Sequence, residues 1–206
     1  MRMITFSGSK ASVACFDVFD HHIITGHESG KVALYSHGEK EGETGIDAEL
    51  EIHHTMAHAE IVTDLQLGWD GTYIITSSKD KSSHIIDAST LDIIKTYMTD
   101  TPLNSAISLP TRPYVIMGGG QEAMSVTTTS ARQGKFESRF WHKIFEEECA
   151  RLPGHFGPIN TLAVHPAGTA YASGGEDGYV RINWFDESFF KSKPYGPDFE
   201  IENKDQ

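Results

Sequence analysis

Cysteine is nearly absent. Only Cys15 and Cys149 occur in 206 residues, too few for a disulfide scaffold, and a reducing compartment is the simpler expectation. Long apolar runs are missing too: none approaches the ~20 residues of a membrane span. The opening stretch, MRMITFSGSKASVACF, has one early arginine and no continuous apolar core, which makes it a poor signal peptide. A cytoplasmic location without membrane contact is therefore expected. Basic charge is scarce, with 17 Lys and Arg against 29 Asp and Glu and a formal net charge of −12. That excludes a general nucleic-acid or anionic-membrane binder, since both need a basic surface, and favours basic protein partners. Helical periodicity is also scarce, which excludes a helical bundle.

Short β-rich runs fill the chain instead. HHIITG, KVALY, TYIITSS, SHIID, PYVIMGG, TAYASGG and YVRINWF are rich in Val, Ile, Thr, Tyr and Phe. Glycine, Asp and Ser separate them, so the expected fold class is all-β. Four segments repeat one plan: IITGHESGKVALY from Ile23, IITSSKDKSSHIID from Ile74, VIMGGGQEAMSVTT from Val115 and YASGGEDGYVRINWFD from Tyr171. In each, an apolar strand ends in small residues, a polar turn follows, and a second apolar strand leaves it. The turn residues Ser29, Asp80, Glu122 and Asp177 recur at intervals of roughly 40–55 residues. Ala57-His58 precedes the Asp80 turn and Gly154-His155 precedes the Asp177 turn. This is the plan of a WD-repeat β-propeller blade, four antiparallel strands opened by a Gly-His pair. The WD dipeptide survives in altered form as Ile86-Asp87; Tyr35 and Asn183 stand at the tryptophan position elsewhere. The blade units expected are residues 11–45, 55–95, 100–150 and 154–190, forming a partial propeller over 1–190, with a polar tail over 191–206. A blade is stable only when stacked on neighbours, so the alternating strands are core and the turns are left for partners.

The candidate chemical sites resolve against catalysis. His155, Ser173 and Asp177 make a Ser/His/Asp set by type, and His58, Thr76 and Asp80 make a second. Because the set recurs at matching repeat positions, a hydrogen-bond network that locks each blade is expected and a catalytic triad is not. The run GGGQEAMSVTTTS, from Gly118, fails as a phosphate loop. It lacks the Gly-Lys-Ser/Thr ending, places Glu122 where phosphate would sit, and continues into a β-favouring Val-Thr-Thr-Thr. His53, His54 and His58 lack the further ligands a zinc site needs, and read as a surface loop plus one blade-locking histidine. No cofactor and no metal are expected. The stretch RQGKFESRFWHKIFEEE mixes aromatic and basic residues, as base-stacking surfaces do. Its glutamates oppose that use, so an elongated outer strand with a protein contact is expected.

The blocks GGGQEA, VTTTS, GKFE, FEEE, GHFGP and SGGEDG stand in an order and spacing that resembles the i subunit of eukaryotic translation initiation factor 3. The resemblance runs from about Ile4 to about Phe190. It implies a cytoplasmic, non-enzymatic scaffold in the initiation factor 3 complex, supporting recruitment of mRNA and initiator tRNA to the small ribosomal subunit. It implies subunits b and g as partners, without direct sequence-specific nucleic-acid binding. Acidic residues near blade turns contact the b subunit in that family, and the matching positions here are Asp70 and Asp87. The family ring has seven blades and this chain supplies about four, so an incomplete ring is expected, through natural truncation, a reading frame begun late or a cloned portion. A WD-repeat scaffold in receptor or kinase signalling is the alternative.

Overall fold

The computed structural model describes residues 9–36, 51–120 and 136–193. These residues form four antiparallel sheets in sequence order. The first holds β1 (Ala11–Phe16), β2 (His22–His27), β3 (Lys31–Ser36) and β4 (Glu51–Met56). The second holds β5 (Val62–Leu67), β6 (Tyr73–Ser78), β7 (Ser82–Asp87) and β8 (Ile93–Met98). The third holds β9 (Leu103–Ser108), β10 (Tyr114–Gly119), β11 (Glu137–His142) and β12 (Glu148–Pro153). The fourth has three strands, β13 (Ile159–Val164), β14 (Ala170–Gly175) and β15 (Val180–Trp184), followed by a short helix α1 (Glu187–Lys191). Every sheet is a meander with neighbours in chain order, consistent with a WD-repeat propeller.

Alternation explains the packing. Along β6, Ile74 faces back and joins Ile24, Val32, Leu34, Leu65 and Ile86 between the first two sheets. Its neighbours Tyr73 and Ile75 face forward and join Leu103, Val115, Met117 and Trp141 between the second and third. Ile107, Ile116, Leu162 and Tyr171 form the next layer, closed at one end by Phe185 and Phe189. A strand buried on both faces in this way reads as a continuous apolar run, as YII does. Each fully buried Ile or Leu in these layers contributes about 1.5–3 kcal/mol. The first strands of successive sheets lie side by side, β1 against β5, β5 against β9 and β9 against β13.

One irregularity recurs in all four sheets. The register between first and second strands slips at the second residue of the first strand, leaving Ser12, Thr63, Asn104 and Asn160 unpaired in β-bulges. The extra residue is polar every time.

His53 and His54 lie on β4, not in a surface loop, and His54 pairs with Glu51 at 2.6 Å. In the aromatic-basic stretch, Trp141 and Arg139 are buried in the third sheet and Phe140 packs against Tyr171, so these are core residues and not a base-stacking platform. Of the glycine run, Gly118 and Gly119 end β10, with Gly120 just beyond; Glu122 lies outside the described residues. Helix α1 was not legible in the sequence. Asp186 caps it by accepting from the Phe189 amide at 2.8 Å, and Arg112 donates to the Phe189 and Ser192 carbonyls, each at 2.8 Å. No helix among the described residues is long and apolar enough to cross a membrane.

Candidate functional site

Two ends of the sheets carry the polar residues singled out above, and they differ in kind. At one end, the β6–β7 turn holds Asp80. Its Oδ2 accepts from the Ala59 amide at 2.9 Å and lies 3.1 Å from His58 Nδ1. His58 Nε2 reaches the Thr76 hydroxyl at 2.9 Å, and Asp80 Oδ1 accepts from the Ser82 amide and hydroxyl at 2.8 and 2.6 Å. The fourth sheet repeats the arrangement. His155 Nδ1 lies 3.0 Å from Asp177 Oδ1, its Nε2 lies 2.8 Å from the Ser173 hydroxyl, and the Phe156 amide donates to Asp177 Oδ2 at 3.0 Å. A carboxylate only accepts, so Nδ1 carries a proton in both rings, and in a neutral His58 ring Nε2 accepts from the Thr76 hydroxyl. These are the contacts of a catalytic triad, but Ser173 is 2% exposed, which places its hydroxyl in the interior of the sheet stack.

The electrostatics fit a neutral imidazole. Burial, helped by the adjacent His84 and opposed by Asp80, pushes His58 down to about 4. The His84 ring lies 4.4 Å from the His58 ring and is pushed down by burial as well. Burial acts to raise Asp80, but donation from Ser82 and Ala59 outweighs it and holds the carboxyl below its ordinary range. Donation from the Phe156 amide, then from His155 and Tyr179, holds Asp177 lower still against desolvation.

Sequence reasoning missed the variants of this network. In the first sheet Thr25 occupies the Thr76 position, and the histidine bonded to it at 2.9 Å is His27, from the end of the same strand. The signal was present in TGHESG, whose Gly-His lies in the strand and not upstream of it. In the third sheet the position is taken by the buried Met117, beside which Arg139 pairs with Asp100.

At the opposite end of the second sheet stand Asp70 and Asp87. Asp70, in the β5–β6 turn, accepts through Oδ1 from the Thr72 amide and hydroxyl at 3.1 and 2.9 Å. Asp87 ends β7 opposite Tyr73 and accepts through Oδ1 from the Ser89 amide, the Ser89 hydroxyl and the Thr90 amide at 2.8, 2.6 and 2.9 Å. Those bonds hold its carboxyl below the usual range, the Ser89 hydroxyl first. The two turns are tied together by the Ala88 amide, which donates to the Thr72 carbonyl at 3.0 Å. The Thr90 hydroxyl adds a further bond to the Asp87 carboxylate, whereas Asp70 spends only Oδ1 on its turn, with no hydrogen bond to Oδ2 among the described residues. Next to them, Trp69 stands exposed over a cleft of about 340 Å³ lined by Gln66, Leu67, Ser108, Pro110, Val164 and Pro166. Lys143 supports this end from the third sheet, donating to the Tyr73 hydroxyl at 2.6 Å. Among the described residues, no group of three or more His, Cys, Asp or Glu is placed to hold a metal ion.

The EIF3I family model matches residues 1–194. Eukaryotic translation initiation factor 3 subunit I of Mycosarcoma maydis is 67% identical over 205 residues, covering 100% of this chain and 59% of its own length. The proteins of the same name from Aspergillus niger and Neosartorya fischeri are 54% and 55% identical over 187 residues, covering 91% of this chain and 53% of their own. The chain thus spans little more than half the length of these curated relatives.

Proposed function

The chain belongs to the family of subunit I of eukaryotic translation initiation factor 3, and from that premise we propose that it is a non-catalytic scaffold of the factor 3 complex. Its four sheets are blades of a larger ring, of which it supplies about four. Its partners are the b and g subunits, and through the complex it supports recruitment of mRNA and initiator tRNA to the small ribosomal subunit in the cytoplasm. The observation that carries this reading is the family match over residues 1–194.

The geometry supports a division of labour along the second sheet. The His58, Thr76 and Asp80 network, like that of His155, Ser173 and Asp177, has all its members turned on one another and serves to lock a blade. Exposed Asp70 satisfies its turn with one oxygen, and with the half-buried Asp87 beside it forms an acidic docking pair for a basic or amide-rich segment of the b subunit. Affinity purification of the tagged chain returns the b and g subunits if the proposal holds. Asp70→Asn and Asp87→Asn keep an acceptor for each turn but remove the charge, and together weaken capture of the b subunit about tenfold or more with an unchanged melt. Recovery of neither subunit with soluble wild-type chain, or undiminished capture by the double variant, refutes the respective part.

A further inference from the structure

The chain contains two Asp-Gly bonds, Asp70-Gly71 and Asp177-Gly178, and no Asn-Gly bond. An aspartyl side chain can close on the amide nitrogen of the next residue. Glycine has no side chain to crowd that nitrogen, so closure is least hindered there. Both bonds sit in the same backbone frame. Gly71 N donates to the Gly68 carbonyl at 2.9 Å, and Gly178 N donates to the Gly175 carbonyl at 3.1 Å. The two glycines have φ of +72° and +78°. In each turn the aspartate Oδ1 accepts from the amide two residues on, Thr72 or Tyr179, at 3.1 Å. That bond folds the carboxyl group back along the glycine peptide. The β6–β7 turn repeats the frame at Asp80, but with Lys81 in the glycine place at φ +70°.

The carboxylates of the two Asp-Gly turns are held differently. Asp177 spends both oxygens on groups outside its turn. His155 Nδ1 lies 3.0 Å from Oδ1, and the Phe156 amide donates to Oδ2 at 3.0 Å. Its side chain is 7% exposed. Asp70 adds only the Thr72 hydroxyl, at 2.9 Å and on the oxygen already used. Asp70 and Thr72 are both exposed. To bring its carboxyl carbon onto Gly178 N, Asp177 must break its bonds to His155 and Phe156. Asp70 has only its own turn to leave.

We propose that Asp70-Gly71 is a site of spontaneous isomerisation and a substrate for a carboxyl-methylating repair enzyme. Gly71 N bonds to Asp70 Cγ, and the hydroxyl of the carboxylic acid leaves with the amide proton as water. The succinimide ring then takes up one water. When the bond from Gly71 N to the Asp70 main-chain carbonyl carbon breaks, the chain continues through Cγ as an isoaspartyl link of unchanged mass. That link adds a methylene to the main chain and carries the carboxylate away from its place beside Asp87. A methyltransferase using S-adenosylmethionine esterifies the freed carboxylate. Methanol leaves as the ring recloses, and hydrolysis returns part of the chain to aspartate. A loss of b-subunit capture on ageing rests on the docking role proposed above; the isomerisation does not.

The test ages the 206-residue chain at physiological temperature and neutral pH. Isoaspartate is located by peptide mapping and by methyl transfer from labelled S-adenosylmethionine with purified isoaspartyl methyltransferase. Conversion at Asp70 should outpace that at Asp177 by about tenfold or more, the effect of one further hydrogen bond to a charged group. In urea, where neither turn persists, the two sites should convert at like rates. Thr72→Ala keeps the amide donor but removes the hydroxyl, and should speed conversion at Asp70 about three- to tenfold. Asp70→Glu keeps the charge but requires a larger ring, and should stay unconverted at that position. Equal rates at the two sites in the folded chain, or conversion at Asp70 only after unfolding, overturns the proposal. Isoaspartate at Asp70 that accepts no methyl group overturns the repair step. Capture of the b subunit by aged wild type is compared with that by aged Asp70→Glu. Capture that survives full conversion refutes docking at Asp70 and leaves the isomerisation standing.

Discussion

Acid should loosen the second sheet before it touches any carboxylate. His58 is enclosed among Thr76, Asp80, Ser82 and His84, and its pKa is pushed down to about 4 from an ordinary 6.5. An unfolded chain therefore takes up a proton at His58 in a range where the folded chain does not. The sign follows from linkage: between 6.5 and about 4 the unfolded state binds more protons, so stability falls as pH falls. For this single ring the loss reaches about 2 kcal/mol near pH 5 and tends to a limit of about 3 kcal/mol below the window. His84, also pushed down by burial, adds to the loss in the same direction. Asp80, held below its ordinary 3.8, contributes its own loss only at lower pH. The assay is the urea midpoint of the 206-residue chain between about pH 7 and pH 5, wild type against His58→Gln. The glutamine variant starts less stable because the network is broken, yet its stability should fall less steeply with acid, by up to about 1.4 kcal/mol per pH unit. If it does not fold, the His58 ring proton shifts of the wild type serve instead, and should stay unmoved above about pH 5. Equal slopes, or a His58 ring titrating at its ordinary value, would refute the account of the network.

Ser173→Ala should lower the thermal midpoint by the equivalent of about 1–3 kcal/mol, because the buried His155 Nε2 loses its hydroxyl partner; an unchanged melt would count against a locking role. The two thiols should separate in an alkylation time course near neutral pH. Burial, with the charges of Asp17 and Asp64, pushes Cys15 up to about 11; partial burial raises Cys149 too, but by less, and its side chain is exposed. Cys149 should react first and Cys15 only on unfolding, and simultaneous labelling of the native chain would refute the burial of Cys15.

The strands were legible because alternation and turn chemistry are local. IITSSKD and YASGGED mark their own ends, and the apolar runs on either side of each turn are β6, β7, β14 and β15. The two histidine-centred hydrogen-bond sets were legible because their members recur at matching positions. The first sheet escaped because its histidine comes from the strand end, at His27, so the upstream pair that marks the other two is missing there. Helix α1 escaped because five residues give too short a period to read, and its hold on the sheets comes from Arg112, far away in the chain. The bulges escaped for a further reason. A slip in register belongs to a pair of strands, and nothing in Ser12, Thr63, Asn104 or Asn160 alone announces it.

Those bulges also bear on how the sheets tolerate sequence change. At each boundary between sheets the donor is a bulge side chain, Ser12, Thr63 or Asn104, but the acceptor is a main-chain oxygen of the next sheet. The receiving residue can be exchanged, as Val62, Leu103 and Ile159 already differ, while its carbonyl stays where it is. Only the donating position is chemically restricted, and Ser, Thr and Asn all satisfy it. A repeat assembled this way needs one constrained residue per boundary, placed on one side of it. The boundary can then persist while the two faces that meet there drift apart in sequence.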